Sequence, residues 1–154
     1  MGFTAVGKNP VNESGVKFKA TLWAWRPLWI YVARVCEDIL PEGASKTGRR
    51  KECSLVIDAD TAKRMAFRLE FQLNQGWTAN FARTRKERLD AMPDELCNIC
   101  WGSGERHDEV VQGTCNKCEG RGKVRPWACE YPFTEAAVKQ FAEFCRKSGG
   151  FEIC

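Results

Sequence analysis

The sequence predicts a helix-rich α+β domain with a short sheet and an inserted four-cysteine zinc module. Three observations lead there: apolar residues recur at helical spacing in several segments, one run shows strand alternation, and one cysteine pattern occurs twice between residues 97 and 122. At 154 residues, with 44% hydrophobic and 11% aromatic content, the chain can bury one core and carry a small metal-bound appendage.

Element by element, Phe18, Ala20, Leu22 and Ala24 alternate with Lys17, Lys19, Thr21, Trp23 and Trp25, which is strand periodicity. Pro27 ends that strand and suits the first turn of a helix, in which Leu28, Val32, Val35 and Ile39 form a stripe that Pro41 stops. Glu42–Lys51 reads as a polar, basic loop. Asp60 is the expected N-cap of a helix through Asn74, with Ala62, Met65, Ala66, Leu69 and Leu73 inward and Gly76 as terminator. A further helix spans Ala79–Met92, with a thin apolar stripe of Phe81, Ala82, Leu89 and Met92, and Pro93 closes it. Past the cysteines, Gly122–Cys129 is expected to return as a strand. Thr134 then caps a last helix through Lys147, with Val138, Phe141, Ala142 and Cys145 inward and Gly149 at its end. The expected organisation is an N-terminal α+β domain (residues 1–93), a zinc module (94–128) and a C-terminal helix packing back on the body (129–154).

The cysteine pattern reads Cys97-Asn98-Ile99-Cys100-Trp101-Gly102-Ser103-Gly104 and Cys115-Asn116-Lys117-Cys118-Glu119-Gly120-Arg121-Gly122. Each copy is C-x-x-C-x-G-x-G, and together they offer four thiolates to one tetrahedral zinc. Two residues between cysteines let a tight turn aim both sulfurs at one ion. The glycines admit backbone angles that a Cβ forbids, so amide N–H groups can approach the sulfurs. A four-cysteine zinc is coordinatively closed and has no position for water or substrate, so the metal is expected to be structural.

This repeat resembles the cysteine-rich zinc module of DnaJ-type chaperones over residues 97–125. That module carries four repeats and two zincs, so two repeats imply one zinc. No His-Pro-Asp tripeptide of a J-domain is present, which excludes the co-chaperone role. In repeat count the chain is similar to anti-TRAP, whose single repeat pair is a scaffold for protein binding. The segments Gly2–Pro10, Trp23–Pro27 and Ser148–Phe151 also resemble phage and prophage proteins of uncharacterised activity.

The formal charge of +4 counts every cysteine as neutral; four thiolates and one zinc bring it to about +2. Nucleic-acid binding would therefore need a local patch. Nine cysteines are an odd number for a disulfide framework, and Met1–Asn9 lacks the pattern of a secretory leader, so a reducing cytoplasm is expected. Leu22–Val35 is interrupted by Arg26, Pro27 and Arg34 and is not expected to span a membrane. Cys36, Cys53, Cys129 and Cys145 read as small apolar packing residues.

Catalysis has few candidates. His107 is the only histidine. His107-Asp108-Glu109 followed by Cys115-x-x-Cys118 shares elements with zinc deaminases, but Thr114 stands where their Pro precedes the first Cys and only Val110–Thr114 separate the two motifs. Gly43-Ala44-Ser45-Lys46-Thr47 lacks the leading glycine of a phosphate loop. No enzymatic activity is expected. The expected role is zinc-stabilised binding of a macromolecule, a protein partner first, through Trp101, Arg121, Lys123, Arg125 and Trp127 beside the arm Glu105–Thr114. If the phage resemblance holds, the protein is an inhibitor of a host or defence complex. The alternative is a nucleic-acid-binding regulator using Arg49-Arg50-Lys51, the cations Arg83, Arg85, Lys86 and Arg88, and Arg121, Lys123 and Arg125.

Overall fold

The computed structural model describes residues 2–49 and 55–154; Arg50, Lys51 and Cys53, expected in a basic loop and in apolar packing, lie outside the described residues. The fold is mixed α+β. The chain forms two compact units, Met1–Thr84 with Tyr131–Cys154, and Arg85–Glu130.

The first unit contains an antiparallel four-stranded sheet in the order β2-β1-β8-β3, made of β1 (Gly2–Gly7), β2 (Lys17–Thr21), β3 (Leu55–Ile57) and β8 (Phe151–Ile153). Of these only β2 was expected from periodicity. The expected strand ends at Thr21, because Thr21 instead caps helix α1 (Leu22–Val35) by accepting a hydrogen bond from the Ala24 amide at 3.2 Å. Trp25, Leu28, Trp29 and Val32 form the buried stripe of that helix, a period that prevails over the alternation preceding it. Pro27 therefore lies inside the helix rather than at its start. Trp23 and Trp25 consequently do not share a lysine-bearing strand face. Trp25 is fully buried between Phe3 and Trp29, with ring centroids 5.4 Å from each, whereas Trp23 meets the edge of Tyr131 at 4.8 Å.

The segment expected to be a loop contains a helical turn, α2 (Ala44–Thr47), anchored from beneath. The indole N–H of Trp29 donates to the Ala44 carbonyl and that of Trp25 to the Gly48 carbonyl, at 3.2 and 2.7 Å. Both tryptophans can then be buried without an orphaned donor.

Helix α3 (Ala59–Asn74) is capped by Asp58, one position before its first residue, and Asp60 lies in its first turn. Asp58 accepts the amides of Asp60 and Thr61 and the Thr61 hydroxyl, which Asp60 is placed too far along the helix to do. Ala62, Met65, Ala66 and Leu69 are buried as their spacing predicts, with Leu73 partly buried against the same core. Helix α4 (Trp77–Asp90) starts and ends two residues earlier than its stripe suggested. The last helix, here α5 (Glu135–Lys147), is capped by Thr134 through the Ala137 amide and buries Val138, Phe141, Ala142, Phe144 and Cys145. Helices α3 and α5 pack together, and α5 lies against β2 and α1. Phe141 touches the rings of Phe18, Trp25, Trp29, Phe144 and Phe151.

The second unit has two small antiparallel ladders, β4 (Glu95–Leu96) with β7 (Lys123–Val124), and β5 (Glu105–His107) with β6 (Gln112–Thr114). The strand expected over Gly122–Cys129 is only two residues long. Pro126 has no N–H to donate to a ladder, and Trp127–Glu130 turn instead into a 3-10 helix. Among the described residues, no helix is long and apolar enough to cross a membrane.

Candidate metal centre

Each copy of the cysteine repeat folds into the same hairpin turn, and the two face each other. After the second cysteine of each pair the chain enters the left-handed region at Trp101 and Glu119, both with φ near +53°, although neither is glycine. The following glycines continue there, Gly102 and Gly104 in one copy and Gly120 and Gly122 in the other. The copies interlock reciprocally. A Cβ on Gly104 would come 2.4 Å from the Gly120 carbonyl oxygen, and one on Gly122 would come 2.3 Å from that of Gly102. The Cys97 amide donates to the Gly122 carbonyl and the Cys115 amide to that of Gly104, at 2.9 and 2.8 Å. Close backbone approach is thus the reason for the last glycine of each repeat.

This interlock brings the sulfurs of Cys97, Cys100, Cys115 and Cys118 within 4.8 Å of one another, all four residues buried. Cys97 Sγ lies 3.9 Å from Cys115 Sγ, and Cys100 Sγ 3.6 Å from Cys118 Sγ. A tetrahedral zinc with bonds of about 2.3 Å requires sulfur–sulfur separations of about 3.8 Å, so the cluster has the right size for the ion. The Gly104 amide donates to Cys100 Sγ at 3.3 Å and the Gly122 amide to Cys118 Sγ at 3.2 Å. Such bonds stabilise thiolate charge and orient the ligands. Burial opposes ionisation of Cys100, but the Gly104 and Gly102 amides and the neighbouring thiols bring it down to about 6. Burial pushes Cys118 up to about 11. A bound zinc would hold the four sulfurs as thiolates, so its binding would release protons. The donor set is all sulfur, which suits zinc, and it fills a four-coordinate shell.

The arm between the copies is a structured hairpin. Asp108 accepts the amides of Val110 and Val111 at 2.9 Å each, closing the turn, and these bonds, helped by Arg106, hold its carboxyl below the usual range. The Arg106 guanidinium also donates to Asn116 Oδ1 at 2.7 Å, tying the arm to the second knuckle. His107 is exposed on β5, with Nε2 3.5 Å from Glu105 Oε2.

Of the residues expected to meet a partner, Trp101 is 81% and Trp127 64% exposed. Arg121 bends back so that Nε donates to the Cys118 carbonyl, and Lys123 is exposed on β7. Arg125 has an internal task. Its guanidinium donates to the carbonyls of Leu89 and Met92, both at 2.6 Å, and meets Asp94 at 3.2 Å, bracing the end of α4. Val110, within the expected arm, is exposed, and Leu96 and Ile99 are exposed apolar residues of this unit that sequence reasoning passed over. The signal was available for Ile99, since Lys117 occupies the equivalent place in the second copy.

Comparison of the chain with models of protein families, with curated proteins and with solved structures finds no match.

Proposed function

We propose that this chain is a non-enzymatic, cytoplasmic binding protein, held in shape by one structural zinc on Cys97, Cys100, Cys115 and Cys118, that acts by docking on a protein partner. One observation carries this reading. At matched positions of two knuckles with the same backbone, the second presents Lys117 and Glu119 and the first presents Ile99 and Trp101. The metal requires neither pair, since both copies use only cysteine and glycine for it. An indole left 81% exposed on a rigid turn is a residue a partner can desolvate with little loss of conformational entropy. The closed sulfur shell supports a role without catalysis.

The proposed surface combines Trp101 with the arm Glu105–Thr114, Arg121, Lys123 and Trp127, with Arg125 bracing it from behind. The resemblance of the terminal segments to phage and prophage proteins makes inhibition of a host or defence complex the biology we favour. The test is capture from host lysate with and without nuclease, using the zinc-loaded protein and two variants, Trp101→Ala and Arg121→Ala with Trp127→Ala. A protein partner should survive nuclease, be lost in both variants, and leave bound zinc unchanged. Partner loss on nuclease treatment, with affinity falling steeply as salt rises, would instead make the protein a nucleic-acid-binding regulator.

A further inference from the structure

Helix α3 has two apolar faces, and only one of them is buried. Ala62, Met65, Ala66 and Leu69 line the core, whereas Phe67 is 67% exposed and Phe71, one turn further, 44% exposed. Trp77 continues the ridge at the start of α4; it is 53% exposed and meets the Phe71 ring edge-on at 5.7 Å. Large aromatics on the solvent side of an already amphipathic helix contribute nothing to its core packing.

Beside this ridge is a groove of about 360 Å³ lined by Ile39, Lys63, Arg64, Phe67 and Arg68. Its charged residues are three cations and no carboxylate. Arg68 is fixed in place, with both guanidinium nitrogens on Asp38 at 2.8 Å and a further bond to the Val35 carbonyl. Asp38 is thereby engaged, Glu70 on the same helix is paired with Arg146, and Asp60, a turn earlier, does not line the groove. Lys63 and Arg64 stand exposed at its rim.

We propose that this face of α3 is a second docking surface, distinct from the zinc knuckles, and that its ligand is an acidic amphipathic peptide segment of a protein partner. The apolar residues of the segment lie on Phe67, Phe71 and Trp77, and its carboxylates meet Lys63 and Arg64. Aromatic anchors beside a one-signed charged rim supply affinity and orientation respectively. A nucleic acid strand fits less well, because phosphates recur along the whole backbone and need a longer track of cations than two exposed side chains and one neutralised arginine.

The test is selection of a displayed library of short random peptides on the zinc-loaded full chain. Enriched peptides should combine Asp or Glu with Leu, Phe or Trp. Their affinity should fall about tenfold or more in Phe67→Ser and, separately, in Lys63→Glu with Arg64→Glu, and stay unchanged in Trp101→Ala. All three sites are exposed, so the variants should keep the parent circular dichroism. No enrichment, peptides without acidic residues, or affinities indifferent to both α3 variants would overturn the proposal. So would peptides lost only in Trp101→Ala, which would leave the zinc-knuckle reading standing. Tighter binding of labelled oligodeoxythymidine than of any selected peptide, abolished by the same α3 variants, would overturn it in favour of a nucleic acid.

Discussion

Met1–Thr84 with Tyr131–Cys154 enclose a continuous cluster of tryptophan, phenylalanine and aliphatic side chains, whereas the buried cluster of Arg85–Glu130 is four cysteines with Val124 against them. In the first unit, stability is spread over many side chains, so losing one is a graded event. In the second, the shorter stretch buries too little apolar surface for a core of its own, and a metal on the four cysteines would concentrate its stability in a single ion. The first unit should therefore tolerate drift in its sequence better than the second, where the interlocked Gly104 and Gly122 and the four clustered cysteines have little freedom to change.

Removing the metal tests that contrast most strongly. Structural zinc contributes about 10–16 kcal/mol of apparent binding energy in small peptide sites, comparable with or above the ~5–15 kcal/mol of a whole domain. Elemental analysis should find one zinc per chain. Chelation should abolish amide-exchange protection across residues 94–128 while α3 and α5 remain protected. Protection lost everywhere at once would erase the distinction between the units.

The converse perturbation is Phe141→Ala, which removes a fully buried ring touching five others. It should lower denaturant stability by about 3–5 kcal/mol without changing bound zinc. Zinc loss in this variant would show that the metal centre depends on the aromatic core.

Gly104→Ala probes the interlock, with φ at +79° and the Gly120 carbonyl in the way of a Cβ. Zinc affinity should weaken by about 1–3 kcal/mol, measured by competition with a chromophoric chelator, while the melting of α3 and α5 stays at the parent temperature. Gly122→Ala should match it, since it faces Gly102 in the same way.

The smallest effect is expected at Asp58. The Thr61 amide and hydroxyl and the Asp60 amide hold its carboxyl below the usual range. A depressed folded value means the stabilisation is complete above the ordinary carboxylate pKa of about 4 and is lost as pH falls through the folded value. Asp58→Asn should keep the cap and flatten that acid limb, and Asp58→Ala should cost about 1 kcal/mol at neutral pH. An unchanged acid limb in Asp58→Asn would remove the carboxylate from the account.

The sequence by itself determined the cluster of four cysteines, because a C-x-x-C-x-G-x-G turn is specified by residues within eight positions and its repetition supplies the second half. It likewise determined α3 and α5 through their long stripes, and the Thr134 cap of α5, whereas the cap of α3 is Asp58 and not the expected Asp60. It did not determine β1, β3 and β8, since β3 and β8 have three residues each and become strands only through pairing with distant segments. The start of α1 was decided by burial, with Trp25 and Trp29 drawn into contact with Phe3 and Phe141. Trp101 and Trp127 were expected at a surface from the sequence, but only tertiary structure decided that Phe67, Phe71 and Trp77 remain in solvent. Exposure depends on which face of a helix or turn finds a partner within the chain. Trp25 found one, and Phe67 and Trp77 were left largely exposed because the core of their unit was already closed without them.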